Sequence, residues 1–346
     1  LLDLAALGTI SDVVPLTTEN RIIAVTGLKI LDQRKRLGIK ALAEAASIKK
    51  EITVNQIYFG LAPRINAAGR IEHASHSVEL LLSHDEAEAK KLANELNQIN
   101  IRRREIGSAI SDEVFSKIDE TKINQQKIIT LSGENWHPGV IGIVASRLVD
   151  AYSRPAVLVG VNDGVGRGSA RSVSGVNVYK ILNSCRDLFT AFGGHEGAAG
   201  FEIKIDNIPE MERCLQAAAD KLIKAEDLSG KLTIDAEILP NDISLNLVKE
   251  LAKLDPHGEG NPNPVFISRN LRLLDRRKVG KKENHLKLKL GNDKISLDAI
   301  GFGLGHYADS LSSDKIYDVV YNLQVNEWNG FENVQLSLVD IKEGDK

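Results

Sequence analysis

Two glycine-rich segments hold the side chains most able to do chemistry. Gly164-Val165-Gly166-Arg167-Gly168-Ser169-Ala170-Arg171-Ser172 alternates glycines with a hydroxyl and guanidinium groups. Glycines let backbone N–H groups approach an anion without interference from Cβ. Ser169 offers a hydroxyl donor and Arg171 a planar fork that matches a phosphate. Taken alone, the segment reads first as a plain β-turn and only second as an anion loop. Phe192-Gly193-Gly194-His195-Glu196-Gly197-Ala198-Ala199-Gly200-Phe201 sets His195 among four glycines. A histidine there could donate to a phosphate oxygen, relay a proton or ligate a metal; the structural alternative is an imidazole satisfied by the backbone of a tight loop. His137 precedes Pro138 at the start of an expected helix, where the structural and functional readings balance.

Asp12, in Thr9-Ile10-Ser11-Asp12-Val13-Val14-Pro15, is a single carboxylate after an apolar stretch, Leu4–Ile10, that is expected to be a strand. A strand end is where α/β proteins hold a metal-binding aspartate, although a cap or turn former is the commoner role. The sequence has no second cluster of His and Asp. In His285-Leu286-Lys287-Leu288-Lys289-Leu290 the period of two turns the leucines to a core and Lys287 and Lys289 outward. With Arg276, Arg277, Lys278, Lys281 and Lys282 just upstream, this makes a basic surface of the kind phosphate backbones bind. Tyr307, Trp328 and Phe331 are the candidates for base stacking. An ordinary solvated lysine face is the competing reading.

The surrounding sequence suggests how these groups are positioned. Apolar residues at Leu92, Leu96, Ile99, Ile106, Ile110 and Val114 predict one helix from Asp85 to about Lys117, opened by a Ser83/Glu86 capping box. At 1.5 Å per residue it would extend about 50 Å, which suggests a connector between lobes. Arg102-Arg103-Arg104 on it is expected to be a solvated face. Strand and helix signals alternate between about 122 and 228, which argues for an α/β domain. Beyond 229, five or so short alternating stretches and a helix near Leu245–Leu254 fit an oligonucleotide-binding (OB) type β-barrel, with a β-sandwich as the alternative.

The chain has 346 residues, 42% hydrophobic and 26% charged, as in ordinary globular proteins. No apolar run approaches a membrane span, and the N-terminus has no signal-peptide pattern. It opens without Met inside an apolar segment, which suggests a piece of a longer protein. Cys185 and Cys214 have no metal-ligand spacing and suggest no disulfide framework, so a reducing, cytoplasmic compartment is expected. The net charge of −3 weighs against a nucleic-acid partner, but a local basic stripe is the more relevant quantity.

Six segments in order resemble the RecJ family of single-strand-specific exonucleases, in the DHH phosphoesterase superfamily. They are Ala6–Leu16, Pro63–Arg70, Trp136–Ala145, Gly168–Ser172, Gly193–His195 and Pro256–Phe266. The resemblance implies an α/β fold in four parts: the end of a DHH-type domain (1–73), a connector helix (74–121), a DHH-associated domain (122–228) and an OB-fold domain (229–346). It further implies a 5′→3′ exonuclease of single-stranded DNA, active in repair and recombination, with two Mn²⁺ or Mg²⁺ ions. Asp12 would be the last aspartate ligand of that metal site. Arg70, Ser169 and Arg171 would hold a terminal or adjacent phosphate, with Gly193, Gly194 and His195 beside the scissile one. Lys287 and Lys289, with Arg277, Lys278 and His137 as further candidates, would line the strand's path.

The family's DHH triplet and upstream aspartates are expected before Leu1, so the chain itself is expected to bind DNA without cutting it. A non-catalytic strand-binding scaffold and a phosphodiesterase of short oligonucleotides or cyclic dinucleotides are the alternatives.

Overall fold

A computed structural model describes residues 1–123, 125–292, 295–328 and 330–344. Among the described residues the chain opens with the α-helices α1 (Leu2–Ser11), α2 (Thr18–Asp32), α3 (Leu37–Ala45), α4 (Val54–Gln56), α5 (Ala62–Ile71), α6 (Ser75–Leu82) and α7 (Glu86–Ser116), with a π-helical turn, Ile57–Leu61, between α4 and α5. The α/β part follows as α8 (Glu120–Ile123), β1 (Ile129–Glu134), α9 (Pro138–Tyr152), β2 (Ala156–Asn162), β3 (Val165–Arg171), α10 (Val178–Asn183), β4 (Phe189–Gly194), β5 (Ala198–Lys204) and α11 (Ile208–Leu222). The last part holds β6 (Ala236–Glu237), α12 (Leu245–Leu251), β7 (Phe266–Val279), β8 (His285–Gly291), β9 (Ser296–Gly301), β10 (Ile316–Trp328) and β11 (Phe331–Glu343). These elements form two compact units, one of Leu1–Gln33, Ile52–Ile57 and Leu232–Lys346, the other of Arg34–Glu51 and Tyr58–Lys231. Among the described residues no helix is long and apolar enough to cross a membrane.

In the second unit the sheet runs β1-β2-β3-β5-β4, with β1 and β2 parallel and the other neighbours antiparallel. Alternate residues of β2 point to opposite faces. Ala156 and Leu158 join a core with α9 and the end of α7, while Val157 and Val159 join one with α10 and α11. Burial on both faces explains why this strand reads as a continuous apolar run. α7 begins at Asp85, whose carboxylate accepts from the Glu88 N–H at 2.7 Å. The cap is therefore Asp85 with Glu88, not Ser83 with Glu86, because Ser83 already closes α6. The first half of α7 packs on α3, α5 and α6, and its second half on α9.

Two further expectations are corrected here. Cys185 and Cys214 are joined in a disulfide, their Cα atoms 6.0 Å apart. α10 and α11 pack on the same side of the sheet, a proximity that 29 residues of separation conceals. The other correction concerns Gly164–Ser172: it is no loop, since Val165–Arg171 is strand β3. Gly166 and Gly168 are there for packing, whereas Gly164, at φ +80, makes the turn before the strand. A Cβ on Gly168 would lie 2.0 Å from the Phe201 ring, and one on Gly166 would lie 2.8 Å from Ile203.

In the first unit, β7, β8, β9, β11 and β10 close into a five-stranded barrel through the β10–β7 pairing, and β6 adds to β7. Leu286, Leu288 and Leu290 fill its core with Tyr321, Val319 and Leu336. The expected strand over Leu4–Ile10 is instead part of helix α1. Its buried positions, Asp3, Ala6, Leu7 and Ile10, have helical spacing, which an unbroken apolar run hides. α1 and α2 cross closely at Gly27, where a Cβ would lie 2.2 Å from that of Ala6. The turn between them is tied to Glu259, whose carbonyl accepts from Leu16 N–H at 2.7 Å, and the first turns of α2 to Asp255, whose carbonyl accepts from Arg21 at 2.9 Å.

Candidate functional site

The register of the α/β sheet aligns the two glycine-rich segments. Leu158 pairs with Ser169, Ser169 with Gly200, and Gly200 with Gly193. One row further along, Ala156 pairs with Arg171 and Arg171 with Ala198, whose carbonyl accepts from His195 N–H at 2.8 Å. Directly opposed residues share a face, so Ser169, Arg171, Gly193 and Gly200 all stand on the face that α9 covers. Gly193 and Gly200 are exposed, and a Cβ on Gly193 would meet open space. They leave a floor bare of side chains beside Ser169.

Over Ser169 and Arg171 sits Gly142 of α9. A Cβ there would fall 2.7 Å from Arg171 Nη2 and 2.8 Å from Ser169 Oγ, so this glycine is what lets both polar groups fit under the helix. Arg171 Nη1 donates to Ser169 Oγ at 3.1 Å and to Ala170 O at 2.7 Å, which fixes the guanidinium plane. Arg70 ends α5 and donates to Gly139 O at 3.3 Å, while Gly139 has no room for a Cβ against the Arg70 carbonyl, 2.1 Å away. Burial, and after it the charge of Arg70, pushes the Arg171 pKa down from its ordinary value. Among the described residues both arginines bond only to neutral acceptors. Charge without a carboxylate partner, partly desolvated and pre-oriented, is what an anion site requires.

His195 is exposed in the hairpin between β4 and β5, and its Nδ1 accepts from Gly197 N–H at 3.2 Å. An accepting Nδ1 leaves the neutral ring's proton on Nε2, available as an outward donor. Gly194, at φ +151, lacks space for a Cβ against the Ala198 carbonyl, 2.5 Å away. His137 is the N-cap of α9, its Nδ1 accepting from Gly139 N–H at 3.1 Å; that accounts for it structurally.

Other candidates lie in the barrel unit. Lys287 pairs across strands with Arg277 and Ile300, whereas Lys289 lies between Asp275 and Asp298. Lys278 bonds Asp309 at 2.6 Å, so its charge is already matched. The side chain of Trp328 lies outside the described residues; Phe331 is exposed and Tyr307 is partly buried against the barrel core. Asp12 is exposed and ends α1 as its C-cap, beside Val13 at φ +56 and Ser11, whose buried hydroxyl has no partner. Among the described residues no three His, Cys, Asp or Glu side chains gather as metal ligands would. Gly142 and Gly200 escaped the sequence reading, for only the register and the helix crossing give them meaning.

Residues 125–224 match the DHHA1 domain family, and 234–340 match the RecJ OB domain family. The single-stranded-DNA-specific exonuclease RecJ of Bacillus subtilis (strain 168) is 38% identical over 343 residues, which are 98% of this chain and 44% of that protein. A crystal structure of RecJ in complex with Mn²⁺, from Thermus thermophilus, is 32% identical with a TM-score of 0.88, covering 100% of this chain and 50% of that one. The corresponding Mg²⁺ complex gives the same score and identity, covering 100% and 52%. The chain thus spans only about half the length of the relatives it matches.

Proposed function

Because the chain belongs to the RecJ family over the DHHA1 and OB domains it carries, we propose that it forms the phosphate-gripping and strand-guiding part of a 5′→3′ single-stranded-DNA exonuclease. One observation carries this reading. Ser169 and Arg171 share a sheet face with the bare glycines, next to Arg70, and among the described residues neither arginine has a carboxylate partner. Arg171 and Ser169 take the phosphate at the strand's 5′ end, Arg70 adds charge, and the following sugar–phosphate lies over Gly200 and Gly193. His195 presents its Nε2 proton to an oxygen of the scissile phosphate. Lys287 and Arg277 guide the strand over the barrel by charge alone.

The relatives' structures with Mn²⁺ and Mg²⁺ point to divalent-metal chemistry in the family. The described residues do not fit a two-metal site: Asp12 is one carboxylate, and no further ligands gather. We therefore derive no hydrolytic step from them and infer that the 346-residue chain binds DNA without cutting it. Mn²⁺-dependent degradation of 5′-phosphorylated single strands by the purified chain would overturn that inference.

The phosphate reading is tested by Arg171→Ala. Fluorescence anisotropy with 5′-phosphorylated and 5′-hydroxyl oligonucleotides should show the variant losing its preference for the phosphorylated end. Equal weakening on both would remove the terminal-phosphate role.

A further inference from the structure

The arginine run on α7 is not one uniform face. Arg102 pairs with Glu72, and Arg104 is exposed. Arg103 is half-buried: its Nη2 donates to Asn100 Oδ1 at 2.8 Å, while its Nε is shut off from solvent with no partner. A nearby arginine shows what a structural role looks like. Arg64 spends Nε on Asn97 at 3.0 Å, Nη1 on Gly60 O at 2.7 Å and Nη2 on Ala45 O at 3.3 Å.

Three helices bring Arg103 toward the phosphate site. The Arg102–Glu72 pair ties α7 to the end of α5, two residues past Arg70. Gly107, one turn after Arg103, packs on Val140 of α9, and Gly139 of α9 packs on the Arg70 carbonyl. Burial first, then the charges of Arg70, Arg104 and Arg147, push the Arg103 pKa down. A group with so many cationic neighbours would ordinarily be offset by a carboxylate. Among the described residues its only partner is the amide of Asn100, which is 2% exposed and orients the guanidinium without neutralising it.

We propose that Arg103 binds a backbone phosphate of the DNA strand next to the phosphate held by Arg70 and Arg171, so that α7 forms a second wall of the interface. This rests on the phosphate reading of Ser169 and Arg171. A bound phosphodiester would accept from Nη1, which has no hydrogen bond among the described residues, and would relieve the like-charge crowding that the free site carries.

The test is anisotropy over a salt series with single strands bearing 5′-phosphate or 5′-hydroxyl ends. Arg103→Ala should weaken binding about tenfold near 0.1 M salt and lower the log–log salt slope by about 0.7, the increment for one contact on a single strand. Both ends should be affected alike, because the contact is internal. Unchanged affinity and slope in a variant with unchanged Tm would overturn the proposal. If the alanine variant does not fold, Arg103→Lys decides: it keeps the charge and loses the fixed guanidinium fork, so weaker binding supports the contact and wild-type binding refutes it. The two readings fail separately. Loss of end preference in Arg171→Ala with no effect of Arg103→Ala removes only the α7 contact. Retained end preference in Arg171→Ala with a lower slope in Arg103→Ala removes only the terminal-phosphate role.

Discussion

The two basic regions of this chain differ in how their charges are balanced. In the α/β unit, Arg70, Arg103 and Arg171 bond, among the described residues, only to carbonyls, a hydroxyl and an amide, and both Arg103 and Arg171 are partly buried. On the barrel, Lys278 is paired with Asp309, Lys289 stands between Asp275 and Asp298, and Arg269 is held by Glu237 and Asp318. A surface cation beside carboxylates is screened and adds little to binding, whereas an oriented, desolvated one awaits an anion. The difference teaches that a count of lysines and arginines is a poor guide to where phosphate binds. What counts is which of them lack a carboxylate.

The largest expected effect separates packing from binding in β3. Gly168→Ala should cost about 3 kcal/mol of stability by overpacking against Phe201, read by chemical denaturation. If stability holds while DNA affinity falls, the strand's glycines serve the ligand after all. Next, Gly142→Ala pushes on the movable tips of Arg171 and Ser169, so Tm should stay near wild type while affinity for 5′-phosphorylated DNA drops roughly tenfold, about 1.4 kcal/mol. A wild-type affinity there would mean the pocket under α9 is not where phosphate sits.

In the barrel, Tyr321 shares a 2.7 Å hydrogen bond with Ser268, whose hydroxyl also donates to Ile238 O. That leaves Tyr321 as the donor in the shared bond. Burial lifts the Tyr321 pKa to about 12 against the partial opposing effect of Ser268. A folded pKa above the unfolded value of about 10 means stability that is complete below pH 10 and falls as pH rises toward 12. Tyr321→Phe should cost about 1 kcal/mol near neutral pH and flatten that alkaline fall; a steep decline in the variant would assign it to other groups.

The smallest effects test the barrel's charges. Lys287→Ala, which removes a cation opposite Arg277, should weaken DNA binding about twofold to threefold and lower the salt slope slightly. Lys289→Ala, between its two aspartates, should change neither. Equal losses at both positions would erase the distinction drawn between them.

Residue pattern alone determined a good deal. The period of two in His285–Leu290 placed its leucines in the barrel core, and the spacing from Leu92 to Val114 defined the long helix. Ser169, Arg171 and His195 stood out as candidates because their neighbours are small. Local pattern could not say that Leu4–Ile10 is helical, since an unbroken apolar run fits either period, nor that Gly166 and Gly168 make room for Ile203 and Phe201. It set Arg103 among solvated charges, because three adjacent arginines differ only in which side of the helix each occupies and what packs there. The tertiary structure decided those questions through strand register and helix crossings. Burial and the absence of a carboxylate are properties of residues far apart in the chain, and they turn an arginine from surface into site.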